Sequence, residues 1–229
     1  MLGTLINVAA IGAGAIAGTL LKKGFPENIS KTILQGISLA VILLGVQMAL
    51  QTKNPLVVIA SMAVGGLTGA GLRLEDRLEA LGKRAQARFR GGGEGDFARA
   101  FVTATLVFCV GAMAIMGAIE DGLTGQPRTL LAKSLLDGIG SLVFASTMGI
   151  GVLFSVIPVF LYQGGITMAA QAVGPYLTPA VVAELTSTGG LLIVAIGLNM
   201  LGATRTKVAD LLPAIFVAAL IVIFLEKVF

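Results

Sequence analysis

An all-α, polytopic membrane protein of about eight transmembrane helices is the fold this sequence predicts. Three observations carry that expectation. Of 229 residues, 56% are hydrophobic and 12% charged, with a mean hydropathy of +0.95, whereas soluble domains average about 25% charged residues. Apolar runs recur along the chain at lengths that match the ~20 helical residues needed to cross a ~30 Å hydrocarbon core. The charges gather in the segments between those runs.

The expected spans lie at 3–21, 32–50, 55–72, 100–119, 134–155, 157–173, 182–203 and 208–226. The first is expected to be a true span, because no small-residue cleavage site and soluble domain follow it. After Asp137 no charge interrupts the chain as far as Val173, and Gly149, Gly151, Pro158, Gly164 and Gly165 could kink or break it there. A tight turn near Ser155–Pro158 is expected to separate spans five and six. Basic residues set the orientation. Arg73, Arg77, Lys83, Arg84, Arg88, Arg90 and Arg99 place residues 73–99 in the cytoplasm, together with the Lys22-Lys23…Lys31 and Arg205-Thr206-Lys207 loops. Within that segment Leu74, Leu78, Leu81, Ala85 and Phe89 recur at helical spacing and are followed by Gly91-Gly92-Gly93, which reads as an amphipathic helix at headgroup level.

One pattern occurs twice. Lys31-Thr32-Ile33-Leu34-Gln35-Gly36-Ile37 aligns with Lys133-Ser134-Leu135-Leu136-Asp137-Gly138-Ile139, and proline precedes each, at Pro26 and Pro127. Pro179, Glu184 and Gly189 keep the same order. With the spans above, the first copy opens a helix from one side of the membrane and the second from the other. That predicts a 3+3 inverted-topology repeat with two more helices, as in many secondary transporters. The corresponding units are 1–72, a first three-helix repeat; 73–99, the cytoplasmic loop; 100–175, a second three-helix repeat; and 176–229, a C-terminal helix pair.

Further stretches carry a family likeness: Met1-Leu2-Gly3-Thr4-Leu5-Ile6-Asn7, Phe108-Cys109-Val110-Gly111-Ala112-Met113-Ala114-Ile115, Asp121-Gly122-Leu123, Leu130 through Gly138, and Leu161-Tyr162-Gln163-Gly164. Through them the chain closely resembles the YqgA-like bacterial inner-membrane proteins, domain of unknown function 554, from its first residues almost to its end. The resemblance implies a multi-pass protein of the bacterial inner membrane. It brings no catalytic or substrate-binding residue to carry over, since members are described as uncharacterised or as candidate transport proteins.

Polar residues inside the apolar runs are the candidate substrate- or ion-binding groups. Asp137 is costly in a span, by about 2.5–3.5 kcal/mol on insertion scales, and Lys133 stands one helical turn before it, within reach. Two readings stand: a coupling carboxylate tethered by the lysine, or a pair near the membrane surface whose acid favours the helix start. Ser141 follows on the same helix among Gly138, Gly140, Gly149 and Gly151, either as close packing or as an unwound lining helix. Gln163 and Thr167 make span six polar without charge. Glu184 and Thr188, with Thr186, Ser187 and Gly189-Gly190, could hold an ion or simply cap a helix. Asn7 and Asn199 read as helix-packing groups, as do Gly14-x-x-x-Gly18 and Gly65-x-x-x-Gly69, the latter two also as a homodimer face.

The leading functional expectation is a permease or secondary transporter of a small solute or cation, coupled to protons or sodium through Asp137. A non-transporting scaffold or regulator working through Arg73–Arg90 is the alternative. An enzyme is not expected: the chain has no histidine for zinc or serine chemistry, and Asp137 with Glu184 or Asp210 makes a thin aspartyl pair. No cofactor is expected, since a Gly-x-x-x-x-Gly-Lys-Ser/Thr phosphate loop is missing; no metal is assigned. The net charge of +4 is read as orientation signal, with the lipid bilayer and not nucleic acid as the partner. The single cysteine, Cys109, allows no intramolecular disulfide.

Overall fold

A computed structural model describes residues 1–22, 27–77, 80, 96–109 and 112–228, and among them it contains helices and turns but no strand. The longer helices are α1 (Leu2–Lys22), α2 (Glu27–Ala49), α3 (Pro55–Leu72), α4 (Asp96–Cys109), α5 (Ala112–Thr124), α6 (Arg128–Met148), α7 (Val156–Met168), α8 (Pro179–Met200) and α9 (Pro213–Val228), with one short helical turn, Ala170–Val173, and a 3₁₀ turn, Gly174–Tyr176, between α7 and α8. A 3₁₀ stretch, Ile150–Ser155, leads into α7, and another, Val208–Leu211, leads into α9. The chain is a polytopic membrane protein by this architecture. Six described stretches are long and apolar enough to cross a bilayer, and α4 with α5, bent by 57°, can make a seventh. The expected span 32–50 falls on α2, whose apolar part, Gln35–Ala49, is shorter. Of the amphipathic helix read between Arg73 and Arg90, residues 78, 79 and 81–90 lie outside the described residues.

Helix starts follow from local chemistry. Proline lacks the N–H that a first-turn residue would leave unpaired, and Pro55, Pro179 and Pro213 each open a helix. Asn54 accepts a hydrogen bond from the Leu56 amide at 3.2 Å to cap α3, and Thr178 accepts one from Val181 at 3.2 Å to cap α8. Proline ahead of a helix is therefore a general start signal in this chain. It also starts helices, α3 and α9, that lie outside the aligned pattern.

Two expectations about spans five and six are corrected. The turn lies at Gly149, not at Ser155–Pro158: Gly149 has φ 91° and ψ −161°, a conformation open essentially to glycine alone. Pro158 sits in the first turn of α7, where it costs no ladder bond. And α6 is continuous through Gly138 and Gly140 from Arg128 to Met148, so the unwound form of this helix is not what the chain adopts. Because α6 starts at Arg128 and not at 134, Asp137 stands about 13 Å along the helix, near its middle, and not one turn into it.

Glycines record how the helices pair. Gly3 lies against Pro127 and Leu130, Gly14 against Gly138 and Ser141, and Gly18 against Leu142 and Ala145, so α1 and α6 run parallel. Gly45 meets Gly190 and Val194 while Gly197 meets Ser38 and Ile42, so α2 and α8 are antiparallel. Gly65 and Gly69 meet Ala214 and Asp210, and Val57 clusters with Ala218 and Val222, so α3 and α9 are antiparallel too. The small residues read from sequence as contact points are thus used inside one chain. Met1 and Asp121 mark one end of the bundle, and Arg99, bonded to the Asn199 carbonyl at 2.7 Å, marks the other. Lys22, Lys31, Arg73, Arg205 and Lys207 all fall at the Arg99 end, given these helix directions.

Candidate functional site

Asp137 anchors the site. The close approach of α1 to α6 brings it there: a Cβ at Gly14 would overlap the Gly138 carbonyl and the Ser141 hydroxyl, so only glycine lets the two backbones meet at this depth. About two turns before Gly14, Asn7 of α1 faces Asp137 of α6. Asn7 Nδ2 donates to Asp137 Oδ2 at 3.0 Å and to Gln163 Oε1 of α7 at 3.1 Å. Lys133 Nζ, four residues before Asp137 on α6, forms an ion pair with the same carboxylate oxygen. Thr167 donates to the Gln163 main-chain carbonyl at 2.8 Å, and its hydroxyl lies 3.4 Å from that of Thr4. Lys133, Asp137, Asn7, Gln163, Thr167 and Thr4 are all buried.

Three helices thus converge their polar atoms on one place, and not all are satisfied. Asn7 Oδ1 and Gln163 Nε2 are buried with no hydrogen-bond partner, an acceptor and a donor free beside the ion pair. Such groups each cost about 1–3 kcal/mol when left unmade. Toward the Arg99 end the next buried side chains are apolar apart from Ser141: Ile11 and Val159 one turn on, and Phe144 beyond them. The polar cluster therefore occupies the half of the bundle nearer Met1 and is closed on the other side.

Four carboxylates are buried among the described residues: Asp121, Asp137, Glu184 and Asp210. Three of them accept from main-chain N–H groups at or beside helix ends. Asp121 Oδ2 takes the Met1 ammonium at 2.8 Å and the Gly3 amide at 3.1 Å. Glu184 takes the Lys53 amide at 2.6 Å, the Asn54 amide at 3.0 Å and the Thr52 hydroxyl at 2.7 Å. Asp210 takes the Glu75 amide at 3.0 Å. These satisfy backbone donors that helix termini leave open. Asp137 alone of the four sits mid-helix and is bonded only by side chains.

Of the residues singled out in the sequence, the structure brings Lys133, Asp137, Gln163 and Thr167 together. Ser141 lies one turn beyond Asp137 and donates to its own helix, to the Gly138 carbonyl at 2.9 Å. Glu184 holds the α2–α3 connection instead, and Thr188 is buried with an unpartnered hydroxyl, like Thr186 and Ser187; no hydrogen bond among the described residues joins either to Asp137. Two members escape sequence reasoning. Asn7 and Thr4 look in sequence like polar residues available for packing; their spacing of three, on one helix face, is the only signal that they share a direction. Among the described residues no three acidic or cysteine side chains converge to hold a metal ion.

Comparison with known proteins fits this architecture. The uncharacterised membrane protein YdfK of Bacillus subtilis (strain 168) is 33% identical over 226 residues, 97% of this chain and 96% of the relative. The uncharacterised protein YqgA of Escherichia coli (strain K12) is 32% identical over 223 residues, 95% of this chain and 94% of the relative. No solved structure matches the chain. The family model described as protein of unknown function (DUF554) covers residues 2–223, and with two relatives aligned end to end the chain belongs to that family.

Proposed function

We propose that this protein is a secondary transporter or permease of a small solute or ion in the bacterial inner membrane, coupled to protons or sodium through Asp137, with the basic Arg99 end in the cytoplasm. What supports the reading is the position of one carboxylate: mid-helix, buried, held by Lys133 and Asn7, with a free amide donor and acceptor beside it. Helix-capping carboxylates account for the other three buried acids and need no transport role.

The coupling follows from charge balance. Removing one partner of a buried ion pair leaves the other uncompensated, at a cost of about 3–5 kcal/mol. If Asp137 takes up a proton or a sodium ion, Lys133 loses its counter-charge while still buried. Occupancy of the acid then favours any conformation in which Lys133 reaches water or a solute anion. Such a rearrangement would open the apolar layer at Ile11, Phe144 and Val159, which separates the cluster from the Arg99 end. The acid and the lysine are the switch, and the α1–α6 contact is its rigid frame.

The test is flux in proteoliposomes. The wild type is expected to move protons under an imposed pH gradient or to take up sodium under a sodium gradient, and Asp137→Asn to lose that flux. Equal flux in wild type and Asp137→Asn removes the coupling role from this residue.

A further inference from the structure

The Arg99 end of the bundle carries a cavity of about 730 Å³, within the range of small-molecule sites. It lies on the far side of the apolar layer from Asp137. Its walls come from the start of α4, the end of α8, the connection 202–207 and the residues following α3. Three cations and two acids line it: Arg99, Arg205, Lys207, Glu75 and Asp76.

Asp76 Oδ1 is 3.7 Å from Lys207 Nζ, and Glu75 Oε2 accepts the Ala209 amide at 2.8 Å, a bond to a neutral donor that leaves its negative charge in place; the cations still outnumber the acids. The arginines are differently placed. Arg99 uses Nη2 to donate to the Asn199 carbonyl at 2.7 Å, a neutral acceptor, and forms no ion pair among the described residues. Arg205 forms no ion pair or hydrogen bond among the described residues. A guanidinium presents a fixed fork of donors suited to phosphate oxygens, and two of them border this cavity.

The wall that carries Arg205 is ordered by Asn199. Its Oδ1 accepts from the Thr204 hydroxyl at 2.7 Å and the Thr206 amide at 2.9 Å, and its Nδ2 donates to the Thr206 carbonyl at 2.7 Å. Gly202, with φ 76°, supplies the left-handed turn out of α8 that only glycine adopts freely. Asn199, which reads in sequence as a packing residue, thus grips both sides of position 205 and holds the loop against the cavity. Such pre-ordering lowers the entropy lost on binding.

We infer that this cavity is a second binding site, for a phosphate-bearing anion held by Arg99 and Arg205. A soluble phosphate ester and an anionic phospholipid headgroup present the same chemistry here. The inference stands apart from the transport reading, because none of these groups belongs to the Asp137 cluster.

The experiment uses the full chain in nanodiscs of phosphatidylcholine. Inorganic phosphate and glycerol 3-phosphate are titrated by calorimetry, and in parallel phosphatidylglycerol retention is followed by native mass spectrometry after mixed-lipid reconstitution. At least one probe is expected to bind, with affinity or retention falling about tenfold or more in Arg205→Gln and in Arg99→Gln. Arg128→Gln, an exposed arginine at the Met1 end, is expected to behave as wild type. Binding of the soluble probes names a free anion as the occupant, and retention of phosphatidylglycerol alone names a lipid headgroup. If no probe binds, or if Arg205→Gln and Arg99→Gln match the wild type, the inference is overturned.

Discussion

Residues 31–37 and 133–139 share a pattern, lysine then four residues on a polar group followed by glycine, yet they do opposite things. In α2, Lys31, Gln35 and Gly36 are all exposed, and nothing lies within 4 Å of where a Gly36 Cβ would be. In α6, Lys133 and Asp137 are buried, and Gly138 packs on Ala10 of α1. The cause is the partner helix. The face α2 turns inward carries Ile37, Ser38, Val41 and Gly45, and it meets α8 at Gly190. The face α6 turns inward carries Lys133, Asp137 and Ser141, and it meets the Asn7–Gly14 side of α1. A short pattern can fix where a helix starts, but which side of it becomes interior is decided by the helix that packs against it.

The sharpest way to break this contrast is to remove one polar group from each copy. Asp137→Leu leaves the Lys133 ammonium buried without its counter-ion and is expected to cost about 3–5 kcal/mol. The equivalent change in α2, Gln35→Leu, touches an exposed side chain and is expected to stay within about 0.5 kcal/mol. Replacing both members of the pair, Lys133→Met with Asp137→Leu, is expected to recover most of the loss, because an apolar pair of similar volume needs no compensation. Thermal unfolding of the purified variants in one detergent reads all three. A double variant as unstable as Asp137→Leu would mean that the pair holds α6 through something other than charge.

Glycines give the second contrast. Gly14→Ala forces a methyl into the Gly138 carbonyl and Ser141 hydroxyl, which are backbone and short side chain and cannot swing away. Overpacking of this kind costs about 1–3 kcal/mol, and here it also moves Asn7 off Asp137. Gly36→Ala meets open space and is expected to gain about 0.5–1 kcal/mol from reduced chain entropy. Opposite signs in the same unfolding measurement are the expected result; equal losses would show that α2 packs through Gly36 after all.

Much of the site is legible in the sequence itself. An acid inside an apolar run, with lysine one turn away, announces itself by its cost, and Gln163 and Thr167 stand out because span six has no charge. Asn7 is not legible, since its partners lie 130 and 156 residues away and an asparagine that packs looks the same as one that binds. Glu184 misleads for a related reason: its partners include the main-chain amides of Lys53 and Asn54, which no side-chain pattern records. The membrane-spanning character is plain from composition, whereas the turn between spans five and six is not. Several glycines offer a break, and only the backbone angle at Gly149 selects one. Helix pairing is hard to foresee as well, because α1, α2 and α3 find their main partners in α6, α8 and α9, far along the chain.

The smallest effect is expected from making the two copies alike. Gln35→Asp places a carboxylate four residues after Lys31, reproducing the spacing of Lys133 and Asp137 on an exposed face. Such a surface pair changes stability by no more than about 0.5 kcal/mol in either direction. Introduced into Asp137→Asn, it is also expected to leave the lost flux lost, since α2 supplies neither a facing asparagine nor the apolar layer that isolates Asp137 from the Arg99 end. Recovery of flux in that double variant would show that lysine and acid at this spacing suffice by themselves. The contrast between the buried copy and the exposed one would then have no bearing on coupling.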